Sequence, residues 1–133
     1  MPTFLSTLQG GAAGAFVLRN ERTGGLVATT LLLALERRAR RTGLLDHHSL
    51  APGHAMVIAP SFAVHTFHMR FPIDVAFVAR DGRILKIRRA MPAGRVAGAW
   101  RGFAVVEMAA GAFAGTGTVP GDVLRLEAAG SAG

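Results

Sequence analysis

The stretch His65-Thr66-Phe67-His68-Met69-Arg70-Phe71-Pro72-Ile73-Asp74-Val75-Ala76-Phe77 decides how this chain is read. Successive side chains of a strand point to opposite faces. As a strand, 65–71 puts His65, Phe67, Met69 and Phe71 on one face, and Thr66, His68 and Arg70 on the other. The first face reads as core and the second as a polar stripe. Pro72 lacks a backbone donor and so ends or bends the strand. Beyond it, Ile73, Val75 and Phe77 alternate with Asp74, Ala76 and Val78. Both sets are largely apolar, which predicts a strand buried on both sides. Asp74 then needs a partner in apolar surroundings, and Arg70 is the nearest in sequence. If His68, Arg70 and Asp74 converge, they can hold an anion or move a proton. The plainer reading is a structural ion pair that fixes the bend.

Working outward, Asp81-Gly82 lies between the apolar runs Val75–Ala79 and Ile84–Ile87. Such a dipeptide predicts a hairpin with a type I′ turn. Phe103–Met108 reads as another strand. Its Glu107 interrupts a face otherwise made by Phe103 and Val105, so it caps a turn or joins the polar cluster. Pro120-Gly121 predicts a type II turn, and Asp122–Glu127 a last strand. Upstream, Ala15–Arg19 and Leu26–Thr30 read as a hairpin around the polar turn Asn20–Gly25, and Ala55–Ala59 as a short strand ending at Pro60. Leu31–Arg41 changes period. Leu31, Leu32, Leu35 and Ala39 share one helical face, the arginines lie mostly on the other, and Gly43 is a stop signal. One helix is expected there.

The pattern is mainly β: a small antiparallel β-sandwich or distorted barrel of about seven short strands with one short helix. Residues 1–14 and 128–133, poor in large apolar groups, read as flexible tails around a single β domain over 15–127. A chain of 133 residues, half of them hydrophobic and 17% charged, is neither disordered nor multidomain. It lacks cysteine, which excludes disulfides and thiolate chemistry. Its longest apolar stretches fall far short of the ~18–20 residues a membrane span needs. The N-terminus has no basic segment before a continuous apolar one, so a cytoplasmic location is expected.

Fifteen basic residues oppose eight acidic ones, and fourteen of the fifteen are arginine. Such a balance suits nucleic acid, anionic lipid or an acidic ligand, and the bland alternative is GC-rich coding. With eight Phe, one Trp and no Tyr, the stacking residues of a single-strand binder are thin, so nucleic acid is disfavoured as a partner. His47 and His48 are adjacent, and no spacing among the five histidines suits a metal. Neither metal nor cofactor is expected. Ser61 and His65 lack the setting of a catalytic nucleophile.

The runs HTFHMRFPIDVAF at 65–77, Asp81-Gly82, VVEMAAG at 105–111 and PGD at 120–122 resemble the family called domain of unknown function 192. The turn at Asn20–Thr23, the segment Arg41–Leu44 and the strand end at Pro60 fit it too. The resemblance spans roughly 16–127. It implies a small β-sandwich or distorted barrel with little helix, and it implies no activity. Where similar proteins are expected to carry cysteine after Pro60, this chain has Ser61.

Three functional classes follow. A ligand-binding or accessory module would use Thr66, His68 and Arg70 with Asp74 or Glu107 to hold a small anionic or hydroxylated ligand. An enzyme would use Asp74 or Glu107 as general acid or base. A structural or protein-interaction domain would show an exposed apolar patch instead of a cleft.

Overall fold

The structure, a computed structural model, describes residues 3–6, 15–36, 40, 44, 47 and 49–129. These form ten strands and one short helix. A five-stranded sheet runs in the order β3 (Thr30–Ala34), β4 (His54–Ile58), β9 (Ala104–Ala109), β6 (Ile73–Val78), β7 (Ile84–Met91). A second sheet has the order β10 (Leu124–Ala128), β1 (Phe16–Asn20), β2 (Leu26–Ala28). A two-stranded ribbon pairs β5 (Ala63–His65) with β8 (Val96–Gly98). The helix α1 spans Ala112–Gly115.

The five-stranded sheet has an apolar cluster on each side, which is why β6 is buried along its whole length. On one side Val57, Ala76, Val106 and Met108 share a cluster with Leu18, Val27, Leu124 and Leu126 of the smaller sheet. That is the sandwich. On the other side Met56, Val75, Phe77 and Val105 cluster with Leu44, Leu50, Met69 and Ala97. Here loops and the inward face of the ribbon replace a second sheet. Burying a large apolar side chain such as Phe77 or Phe113 contributes about 1.5–3 kcal/mol.

A polar network locks one end of the smaller sheet. Asn20, at the end of β1, donates from Nδ2 to Asp122 at 2.9 Å. Its Oδ1 accepts the Arg22 amide. Asp122 also accepts from the Arg22 guanidinium and from the Val119 amide. The Arg22 contact holds the Asp122 carboxyl far below its usual range. The turn before it has Gly121 at φ 95°, as a type II turn after Pro120 requires.

Several expectations change. Leu31–Ala34, read as the start of a helix, lies in β3 and pairs in parallel with β4. Leucine is a weak local guide, and a paired edge outweighs its helix preference. A helical contact survives further on, where the Arg40 amide donates to Glu36 O at 2.9 Å. The rest of that expectation (37–39, 41 and the stop at 43) lies outside the described residues.

The Asp81-Gly82 hairpin between β6 and β7 is present, but only Gly82 has positive φ. Ala79 N–H donates to Arg83 O, and Gly82 N–H to Ala79 O. The turn is therefore the three-residue kind with a left-handed glycine, not type I′. A Cβ at Gly82 would lie 2.4 Å from Leu124 O. Residues 3–6 belong to the stretch read as a tail, yet Phe4 is buried in the core and its amide donates to Arg80 O at 2.7 Å.

The largest correction concerns 65–71. Only His65 lies in a strand, and 66–72 forms turns and irregular backbone. The alternation therefore fails: Thr66 is buried, while His65 and Phe67 are exposed.

Candidate functional site

β6 and β9 run antiparallel, with Asp74 opposite Met108 and Val75 opposite Glu107. Opposed residues share a face and successive ones alternate. Asp74 and Glu107 therefore project to opposite sides of the sheet. They cannot act together as a pair.

Asp74 is fully buried. One carboxylate oxygen accepts the Ala90 amide at 2.8 Å and the other the Phe113 amide at 3.3 Å. Ala90 has φ 47° where the β6–β7 register slips, and Phe113 lies in the first turn of the short helix α1. These amides, not Arg70, satisfy Asp74. Its role is to join β7 and α1 to the central strand.

Thr66 is likewise structural. Its hydroxyl donates to Pro92 O at 2.6 Å and accepts the Arg95 amide at 2.9 Å. Its own amide donates to Arg95 O, and its carbonyl accepts from Met69 and Gly94. The 66–72 segment is thus pinned to the start of β8. His68, at φ 66°, and Arg70 are exposed on it. A left-handed histidine in a turn is uncommon but tolerated.

Glu107 differs from all of these. It is 5% exposed, and it lies level with Met56 and Val75 on the two flanking strands. Among the described residues no donor reaches its carboxyl. No side-chain oxygen sealed from solvent among them lacks a partner, so the Glu107 carboxyl keeps some contact with solvent. Burial pushes it up to about 7, because the charged form is poorly solvated there.

Of the five residues singled out in the sequence, the structure gathers no single cluster. Thr66 and Asp74 are bound within the fold, His68 and Arg70 lie on an outer turn, and Glu107 stands on the opposite face from Asp74. Among the described residues no three histidine, aspartate or glutamate side chains come together as a metal site. No described helix is long and apolar enough to cross a membrane.

A second surface went unread in the sequence. Ribbon parity turns Val64 and Ala97 inward and leaves His65 and Val96, an opposed pair, exposed. At its end Phe62 is 64% and Trp100 87% exposed. A lone Trp next to Arg101 in a glycine-rich stretch was the available signal.

The family model for DUF192, described as an uncharacterized ACR, matches residues 18–126. No curated protein matches the chain. Two solved structures are similar. One, from Sinorhizobium meliloti 1021, is provisionally described as a transcription regulator. It is 24% identical with TM-score 0.73, over 86% of this chain and 97% of that one. The other, a protein of unknown function from Novosphingobium aromaticivorans DSM 12444, is 22% identical with TM-score 0.73, over 84% of this chain and 83% of that one. At these identities both show the fold alone. With the family model spanning most of the β domain, the chain belongs to the domain of unknown function 192 family.

Proposed function

We propose that this protein is a small-molecule binding module whose anchoring group is Glu107, and that its ligand is hydroxylated. The observation that carries this is a carboxyl nine-tenths buried, without a partner among the described residues, yet still touching solvent. A fold that satisfies Asp74 with two amides does not leave Glu107 bare for stability. Unpaired buried polar groups cost about 1–3 kcal/mol each. A hydroxyl suits a group that titrates near neutrality, since it donates to the carboxylate and accepts from the acid. An anion suits it less, because the ionised carboxylate would repel it. His68 and Arg70 belong to the turn whose Met69 packs into the cluster on the Glu107 side of the sheet.

The test is thermal unfolding of wild type and Glu107→Leu against sugars, polyols, nucleosides and hydroxy acids at about 150 mM salt. A ligand at about a hundred times its dissociation constant adds ~2.7 kcal/mol, or about 3–6 °C for a domain of this size. A hit on wild type that disappears in Glu107→Leu supports the reading. A hit of equal size on both proteins refutes it, and so does a flat panel on both.

The raised pKa supports a second reading, an enzyme with Glu107 as general acid or base. Glu107→Gln separates the two. An amide keeps hydrogen bonding to a hydroxyl and so retains binding, whereas it cannot transfer a proton and so abolishes turnover.

A further inference from the structure

We propose that the end of the β5–β8 ribbon is a docking surface for anionic lipid, inserting Phe62 and Trp100 into the headgroup region of a membrane. The two rings come from separate segments held rigidly together. Ala99 N–H donates to Phe62 O at 2.9 Å, and Ser61 N–H to Phe103 O at 2.9 Å. Gly102 allows the close approach, since a Cβ there would sit 3.1 Å from Phe62 Cα and Cβ. The rings flank an apolar groove of about 380 Å³ over Gly98, Ala99 and Gly102. That floor of glycine and alanine between two exposed rings is apolar, which favours a hydrocarbon occupant.

Charge favours the anionic kind. Arg101 lines the groove itself, and Arg80 lines the neighbouring one on the other side of Phe62. Tryptophan is the side chain best suited to a membrane–water boundary. Stable attachment needs two signals, such as inserted apolar rings with a basic rim. This end of the ribbon carries both. The proposal is independent of the Glu107 reading.

Trp100 is the sole tryptophan, so its fluorescence reports on this surface alone. The full-length protein is mixed with vesicles of phosphatidylcholine, or of phosphatidylcholine with phosphatidylglycerol, at about 150 mM salt. Expected with the anionic vesicles are sedimentation and a Trp100 emission shift to shorter wavelength, with at least about tenfold weaker binding to the neutral ones. Phe62→Ser keeps the reporter and should lower vesicle affinity about tenfold. Arg101→Glu should act in the same direction. Thermal midpoints matching wild type would show both variants folded, as their exposure predicts. Glu107→Gln should bind vesicles as wild type does. The proposal is overturned by absence of binding, by sedimentation without an emission shift, or by undiminished binding of Phe62→Ser. An emission shift produced by single-stranded oligonucleotide but not by vesicles would assign the surface to nucleic acid instead.

Discussion

Asp74 and Glu107 sit one register step apart on neighbouring strands, and their fates are opposite. Asp74 faces the sandwich interior, where a bulge in β7 and the first turn of α1 bring two amides to it. Glu107 faces the side roofed by loops and ribbon, and no described donor comes to it. Burial depth is nearly the same for both. What separates the two carboxyls here is the supply of backbone donors, and that supply depends on what covers each face. Regular strands spend their amides on each other, while bulges and helix starts leave some free.

The sharpest way to break this contrast is Asp74→Ala. It orphans two amides and should cost about 3–5 kcal/mol, read as a lower denaturation midpoint in urea. Asp74→Asn keeps one acceptor oxygen and should recover part of the loss. A near-neutral Asp74→Ala would mean the amides find other partners and the two carboxyls are not so different.

Glu107 predicts an effect of opposite sign. Its folded pKa, about 7, lies above the 4.5 of an ordinary glutamate. The folded state therefore binds the proton more tightly than the unfolded chain. The Glu107 contribution should be most favourable at low pH, fall between about pH 4.5 and 7, and stay reduced above, by an amount on the order of 3 kcal/mol. Glu107→Leu should remove this slope. It should therefore be more stable than wild type at pH 8, with the difference shrinking toward pH 4.5. Urea titrations at several pH values check it, and a parallel fall in both proteins would reject Glu107 as the source. Asp122 gives the mirror case. Its carboxyl is held low by Arg22, so it stabilises above its unfolded value and that contribution is lost as pH falls below about 4.

The smallest expected effect is at Thr66. Thr66→Val removes the hydroxyl that bridges Pro92 and Arg95 and should cost about 1–2 kcal/mol. Faster amide exchange at Met69 and Arg95 would place the loosening at this junction. Unchanged exchange there would show that the backbone bonds hold it alone.

Much of this contrast was legible in the chain. The double-sided apolar pattern of 73–78 marked β6 as central, and the lone acids in Val75–Ala79 and Phe103–Met108 surroundings marked Asp74 and Glu107 as unusual. Asp81-Gly82 gave the hairpin, though not its turn type. The partners of Asp74 were not readable. They are main-chain groups 16 and 39 residues away, and a bulge leaves no local composition to recognise. The alternation across 65–71 misled because Thr66 is buried by hydrogen bonds to a distant loop, not by sheet pairing. β3 was hidden because leucine runs suit helix and strand alike, and parallel pairing to β4 is a non-local choice. Phe62 and Trp100 are far apart in sequence and meet only through the ribbon.

The pairing of β1 with β10 has a consequence of its own. Phe16 lies opposite Ala128, and Ala129 N–H donates to Ala15 O at 2.9 Å, so the domain's first and last strands enter and leave side by side. Positions 15 and 129 are close enough for a short linker to join them, although Phe4, buried in the core from the segment before Ala15, would have to be kept in any such rearrangement. The same geometry makes this β unit suited to insertion within a loop of another protein, where both connections would meet at one point.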